Sequence, residues 1–330
     1  MMSLTYLICR IHGYVPKFLT REMLLDLASA RTLREFVEKL SRTDYGQKLE
    51  GTRTLREIEN SLTEVFVNKL RAVLKVASER TQTFLKAYLR RYEVQNLILV
   101  LRMKAGKASK EEIERLLIPV GELGELKLEP ILEAKSLEQA LEIIRRSKRY
   151  LLPKKVENIL VLEISLWKDY YIALLKNISK APLQDRKDMK KFIGLEIDFH
   201  NLKTCLLTMD EAIKLSDAEK LLIRNPVGIS HRRLLSLVKE RAKDLLLELS
   251  HNYRGYLEKF VSGELWLAEI ERYKILKNYM DALRIPKFIN FFYVMKYLLD
   301  LEIEYRNLRS IAISIYHELP VDARTRLLIT

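Results

Sequence analysis

The sequence predicts an all-α fold built from three similar helical units in succession. Three observations lead there. Gly and Pro together supply only 18 of 330 residues, while 48% are apolar and the charged side chains are mainly Lys, Arg and Glu, a composition suited to long helices around a sizeable core. Apolar residues recur at helical spacing rather than alternating. Two sequence markers return at a period of about 105 residues, the signature of an internal repeat.

The first marker appears in YEVQNLILVLRMKAGKASKEEIERLLIP from Tyr92, IDFHNLKTCLLTMDEAIKLSDAEKLLIR from Ile197 and IEYRNLRSIAISIYHELPVDARTRLLIT from Ile303. Asn96, Asn201 and Asn307 lie 105 and 106 residues apart, and each is followed by Leu. An acid stands three residues before each asparagine: Glu93, Asp198 and Glu304. Twenty-two residues after each comes the Ile of a Leu-Leu-Ile triplet: Ile118, Ile223 and Ile329. The second marker is ARTLREFV from Ala30, AKSLEQAL from Ala134 and AKDLLLEL from Ala242, with a capping residue third: Thr32, Ser136 and Asp244. Cap and asparagine are separated by 64, 65 and 63 residues. Matching stops at Pro119-Val120-Gly121 and Pro226-Val227-Gly228 place the units at 1–121, 122–228 and 229–330.

Each unit then reads in order. Thr32 with Glu35, and Ser136 with Gln139, have the spacing of capping boxes, whereas Leu247 cannot reciprocate Asp244. Next comes one long amphipathic helix. Its buried face is expected to carry Phe84, Tyr88, Tyr92 and Val100 in the first copy, and Met189, Ile193, Ile197 and Cys205 in the second. In the third it carries Met295, Leu299, Ile303 and Ile311. A shorter helix follows, capped by Ser109 with Glu112, by Ser216 with Glu219, and by Asp322.

Each asparagine falls inside the apolar arc, with the acid about 60° to one side. A buried amide without partners costs ~1–3 kcal/mol, so each Asn requires hydrogen bonds. The neighbouring acid, a backbone end of a packed helix, or an arginine such as Arg10 can provide them. Glu93, Asn96, Asp198, Asn201, Glu304 and Asn307 are therefore expected as structural polar positions that fix register.

The sequence offers no catalytic, cofactor-binding or metal-ligating set. It has no phosphate loop, no His-Glu-x-x-His and no paired Cys-x-x-Cys. Cys9 with His12 supplies two ligands where a site needs four, and His12, His200, His231, His251 and His317 are scattered. Cys9 and Cys205, both among apolar neighbours, read as reduced, buried thiols. The start MMSLTYLICRIHG lacks the pattern of a signal segment, and no tract reaches the roughly 20 apolar residues of a membrane span. The formal charge of +14 arises from basic residues interleaved with acids. The densest basic run, Arg145 to Lys155, includes one aromatic, Tyr150, too few for stacking on nucleic acid. A basic helix end followed by a turn at Pro153 gives the same pattern, and beside that reading Arg145, Arg146, Lys148, Arg149, Lys154 and Lys155 are candidate electrostatic contacts for a negative protein surface or anionic head groups.

With these residues in view, the chain resembles the C subunit of archaeal A-type ATP synthases, related to the d subunit of V-type ATPases. The Asp44-Tyr45-Gly46 turn, YEVQNLILVLRMKAG followed by LLIPVGEL, and the repeated acid-x-x-Asn-Leu carry the resemblance, which runs from Tyr6 to Thr330. It implies three helical domains forming a pseudo-threefold funnel or socket with a central cavity. It implies a non-catalytic rotor subunit, without cofactor, that links the central shaft to the membrane proteolipid ring and transmits torque. Such a protein lies peripherally on the cytoplasmic side of the membrane, touching it through the ring, with no nucleic-acid partner. Arg102 and Lys104 match the family's basic pair after the asparagine, while Leu207, Met209, Ile313 and Ile315 depart from it. A generic helical scaffold and a nucleic-acid-binding helical protein are the alternative readings.

Overall fold

Residues 4–121, 124–153, 158–225, 227–249, 251–283 and 290–330 are described in a computed structural model, and among them there are helices and no strand. In chain order the helices are α1 (Leu4–Tyr14), α2 (Arg21–Ser29), α3 (Leu33–Leu40), α4 (Gly46–Leu49) and α5 (Leu55–Val76). Then come α6 (Glu79–Leu89), α7 (Arg91–Ala105), α8 (Lys110–Glu114), α9 (Glu129–Glu133) and α10 (Leu137–Arg146). They are followed by α11 (Ile159–Asn177), α12 (Arg186–Met209), α13 (Leu215–Leu221), α14 (His231–Lys239) and α15 (Lys243–Leu249). The last four are α16 (Arg254–Val261), α17 (Leu265–Ala282), α18 (Phe291–Tyr316) and α19 (Val321–Arg326).

The chain divides into two compact units, one of residues 1–78 with 255–330 and the other of residues 79–254. In the first, the 26-residue α18 is the spine, with α5 laid along it and α1, α2, α3, α17 and α19 around it. α5 buries Ile58, Leu62, Phe66, Leu70 and Val73, a stripe at three- and four-residue spacing that matches one helical face. Phe66 stacks on Tyr305 of α18 with ring centroids 4.4 Å apart, and Thr63 Oγ1 lies 2.9 Å from the Tyr305 hydroxyl. In the second unit α11 is central and packs on α6, α7, α12 and α13, while α14 packs on α12.

All twelve side chains expected on the buried faces of the long helices are buried. In the first copy, however, the predicted single helix is two, α6 and α7, meeting at Arg90. Side chains compete there for a helix carbonyl: the Tyr170 hydroxyl donates to Tyr88 O at 2.9 Å, and Arg91 Nε does so at 3.3 Å.

The caps at Thr32, Ser136 and Ser109 form as expected. Thr32 accepts from Glu35 N, Ser136 from Gln139 N, and Ser109 with Glu112 closes a full capping box. Glu35 and Gln139 reach the backbone N–H of Arg31 and Lys135, one residue before the cap. The later caps are corrected. Ser216, Asp244 and Asp322 each lie within the first turn of α13, α15 and α19, and the capping positions of α13 and α19 are Lys214 and Pro320.

Cys205 is buried, and burial pushes its thiol up to about 12. Cys9 is exposed, contrary to the expectation, because α1 turns Leu7, Ile8 and Ile11 inward and leaves it outside that arc. No helix among the described residues is long and apolar enough to cross a membrane.

Candidate functional site

The three asparagines share one geometry. Asn96 Nδ2 donates to Ile118 O at 2.7 Å and its Oδ1 accepts from Ile118 N at 3.0 Å. Asn201 does the same with Ile223 at 2.9 and 2.8 Å, and Asn307 with Ile329 at 3.0 and 2.8 Å. The constant spacing of 22 residues is thus a physical link: the side-chain amide pairs with the main chain of the isoleucine that returns along the helix. Neither the neighbouring acid nor Arg10, which bonds to the half-buried Tyr14, is the partner. Two residues past the end of each long helix stands a residue with left-handed φ, Lys107, Glu211 and Glu318, and this turn sends the chain back toward the amide.

The acids form a second repeated site. Glu93 accepts from the Tyr150 hydroxyl at 2.5 Å, from Leu126 N at 2.7 Å, and from Glu125 N. Asp198 accepts from the Tyr253 hydroxyl at 2.7 Å, Asn225 Nδ2 at 2.7 Å and Ile229 N at 3.1 Å. Glu304 accepts from the Tyr45 hydroxyl at 2.7 Å and Leu19 N at 2.6 Å. Each carboxylate is therefore held by one tyrosine and by main-chain N–H groups. Glycine lets the loop approach. A Cβ on Gly228 would stand 2.2 Å from Asp198 Oδ2, and one on Gly124 would stand 2.7 Å from Glu93 Oε2. Burial pushes the carboxyls of Asp198 and Glu304 up, against the opposing pull of these hydrogen bonds. Burial followed by the facing carboxylate pushes the hydroxyls of Tyr45 and Tyr253 up as well, so they stay donors.

Sequence reasoning does not pair the tyrosines with the acids. Tyr45 stands out in the sequence only through its turn, and Tyr150 only as the aromatic of the basic run. They lie 259 residues before Glu304 and 57 after Glu93, so the local pattern does not point to them. A buried ion pair escapes it too. Arg91 Nη2 lies 2.9 Å from both Glu196 oxygens, with Tyr170 as a further partner. Arg91 and Glu196 each stand five residues before their asparagine, at equivalent positions of the first and second copies.

The basic positions that follow Asn96 find partners within the chain. Arg102 forms a two-pronged pair with Glu163, and Lys104 Nζ donates to Leu132 O at 2.9 Å and to Ala134 O, closing the end of α9. In the basic run, Arg145 and Arg146 pair with Glu142, Arg149 pairs with Glu125, and Arg145 also donates to Pro153 O. Lys148 is exposed, and Lys154 and Lys155 lie outside the described residues. Among the described residues no group of three or more His, Cys, Asp or Glu side chains is arranged to hold a metal ion. The repeated polar groups are saturated by internal partners, and what they do is lock loops onto helices.

The model of one protein family, described as ATP synthase (C/AC39) subunit, matches residues 7–326. Relatives named as the C subunit of A-type ATP synthase are similar over most of their length. The one from Pyrococcus horikoshii is 27% identical over 319 residues, covering 92% of this chain and 84% of its own. The one from Methanosarcina acetivorans is 24% identical over 318 residues, covering 93% and 87%. With a match spanning nearly the whole sequence, the chain belongs to the ATP synthase (C/AC39) subunit family.

Proposed function

We propose that the chain is the non-catalytic rotor subunit of an ion-translocating A/V-type ATP synthase, linking the central shaft to the membrane proteolipid ring and passing torque between them. The observation that carries this is the triple recurrence of one rigid joint, acid to tyrosine and asparagine to isoleucine backbone, in a chain of this family. A coupling element has to resist twisting, and buried side-chain bonds to main-chain groups resist it by making loop and helix move together.

The Arg91–Glu196 pair supports a rotational arrangement of the first two repeats. Equivalent positions of two copies touch when the axis relating them passes close by, and this pair does so at 2.9 Å. The repeat units 1–121, 122–228 and 229–330 are proposed on the same period. The protein sits on the cytoplasmic side and meets the membrane through the ring, and Lys148 is a candidate contact.

Cofractionation tests the reading. From cells expressing a tagged chain, the tag travels with membranes and with ATPase subunits, and nuclease leaves that distribution unchanged. A tag found only in the soluble fraction, or released by nuclease, refutes it.

A further inference from the structure

One groove in the second unit has polar groups that the joints do not use. It encloses about 300 Å³ and is lined by Gln95, Ile98, Leu99 and Arg102 of α7, by Glu163, Ile164 and Trp167 of α11, and by His200 and Lys203 of α12. Gln95 and His200 directly precede their asparagines, and Ile98 and Lys203 follow them by two, so equivalent faces of the first two repeats meet here. Arg102 is already neutralised by Glu163. The side chains of Gln95, His200 and Lys203 form no hydrogen bond or ion pair among the described residues, and His200 Nε2 is buried without a partner. His200 is 9% exposed.

The chemistry left over is that of a donor-rich site suited to a hydrogen-bond acceptor. Lys203 has three N–H groups and no acceptor, Gln95 adds two amide N–H, and an imidazole held neutral adds one. Burial, with Lys203 and Lys168 nearby, brings the His200 ring down to about 3, so it remains neutral at physiological pH. Once Arg102 and Glu163 cancel, Lys203 is the net charge of the lining. Trp167, Ile98 and Leu99 wall the groove with apolar surface, which strengthens an ion pair formed inside it.

We propose that this groove seats the carboxylate of an Asp or Glu side chain presented by the central-shaft partner, with Lys203 as the ion pair and Gln95 as a hydrogen-bond donor. This rests on the functional reading above, and it adds which face of the chain grips the partner and by what chemistry.

The test titrates the full-length chain against a purified central-shaft complex and compares wild type, Lys203→Glu, Lys203→Met and, as a control of equal charge change, Arg42→Glu at an exposed site. Lys203→Glu is expected to weaken binding at least tenfold and Lys203→Met by a few fold, with a shallower salt dependence in both. Arg42→Glu is expected to change it less than threefold. Thermal melting of each variant verifies the fold, and Lys203→Met, which keeps the apolar stem, carries the test if Lys203→Glu melts early. Equal losses for Lys203→Glu and Arg42→Glu, or no loss at Lys203, overturn the groove and leave the functional reading standing. A wild-type chain that binds no shaft complex overturns the functional reading itself.

Discussion

Replacing Asn201 by leucine isolates the asparagine joint. The amide exchanges two hydrogen bonds with Ile223, at 2.9 and 2.8 Å, in a buried setting. Leucine of similar volume fills the space but leaves the Ile223 N–H and C=O unpaired, at roughly 1–3 kcal/mol each. The new apolar side chain returns at most ~2 kcal/mol through burial. Mid-range values, about 4 kcal/mol lost and about 1–2 kcal/mol returned, leave a net loss of about 2–3 kcal/mol, a roughly 30- to 160-fold drop in local protection. Native-state hydrogen exchange at the Ile223 amide measures it directly, since that N–H is the donor being orphaned. The loss is local to the loop after α13 and leaves amides in the middle of α5 protected as before, because α5 belongs to the other unit. Protection of Ile223 within threefold of wild type would refute the reasoning, since the bonds would then contribute nothing net.

Further outcomes follow from other residues. Glu196→Gln leaves Arg91 buried beside a neutral partner, and urea unfolding of the second unit should show a loss of about 3 kcal/mol, the low end for breaking a buried pair. Gly228→Ala places a methyl 2.2 Å from both Asp198 Oδ2 and Asn225 Nδ2 and should cost about 1–3 kcal/mol, read from the shift in the urea midpoint. Gly13→Ala, in a helix with nothing within 4 Å, should stabilise by about 0.5–1 kcal/mol in the same assay. The buried ring of His200 has its folded pKa lowered from 6.5 to about 3, so between those values the unfolded chain binds a proton that the folded one refuses. Stability from this group is complete above about pH 6.5 and falls by roughly 1 kcal/mol per pH unit as the pH drops toward 3. His200→Gln, the residue of the first copy, should flatten that acid limb in melts taken from pH 7 to pH 4.

Much of the repeat was legible because its parts are local. A helix period and a fixed return distance of 22 residues both leave a direct trace in the chain, and the return distance proved to be a hydrogen-bonded contact. The polar positions themselves were legible from their place in the apolar arc. Their partners were not, because a tyrosine 259 residues from its carboxylate leaves no periodic signal. Capping rules failed at Ser216 and Asp322 because α13 and α19 begin two residues earlier than those caps require, at Leu215 and Val321, and the side chains of the capping positions Lys214 and Pro320 form no cap bond. The departure of the second copy from the basic pair has a packing reason. Where the first copy has Arg102 facing Glu163, Leu207 instead packs against Ile164, Ile213 and Leu221. The break at Arg90 was hidden because the competition for the Tyr88 carbonyl comes from Tyr170, 82 residues away.

Torque transmission is tested most directly by assembling the ATP synthase on liposomes with and without this chain and measuring ATP hydrolysis and ATP-driven ion uptake together. The account predicts that the assembly lacking the chain still hydrolyses ATP but takes up no ions, and that adding the purified chain restores uptake. Full uptake in its absence would contradict the account.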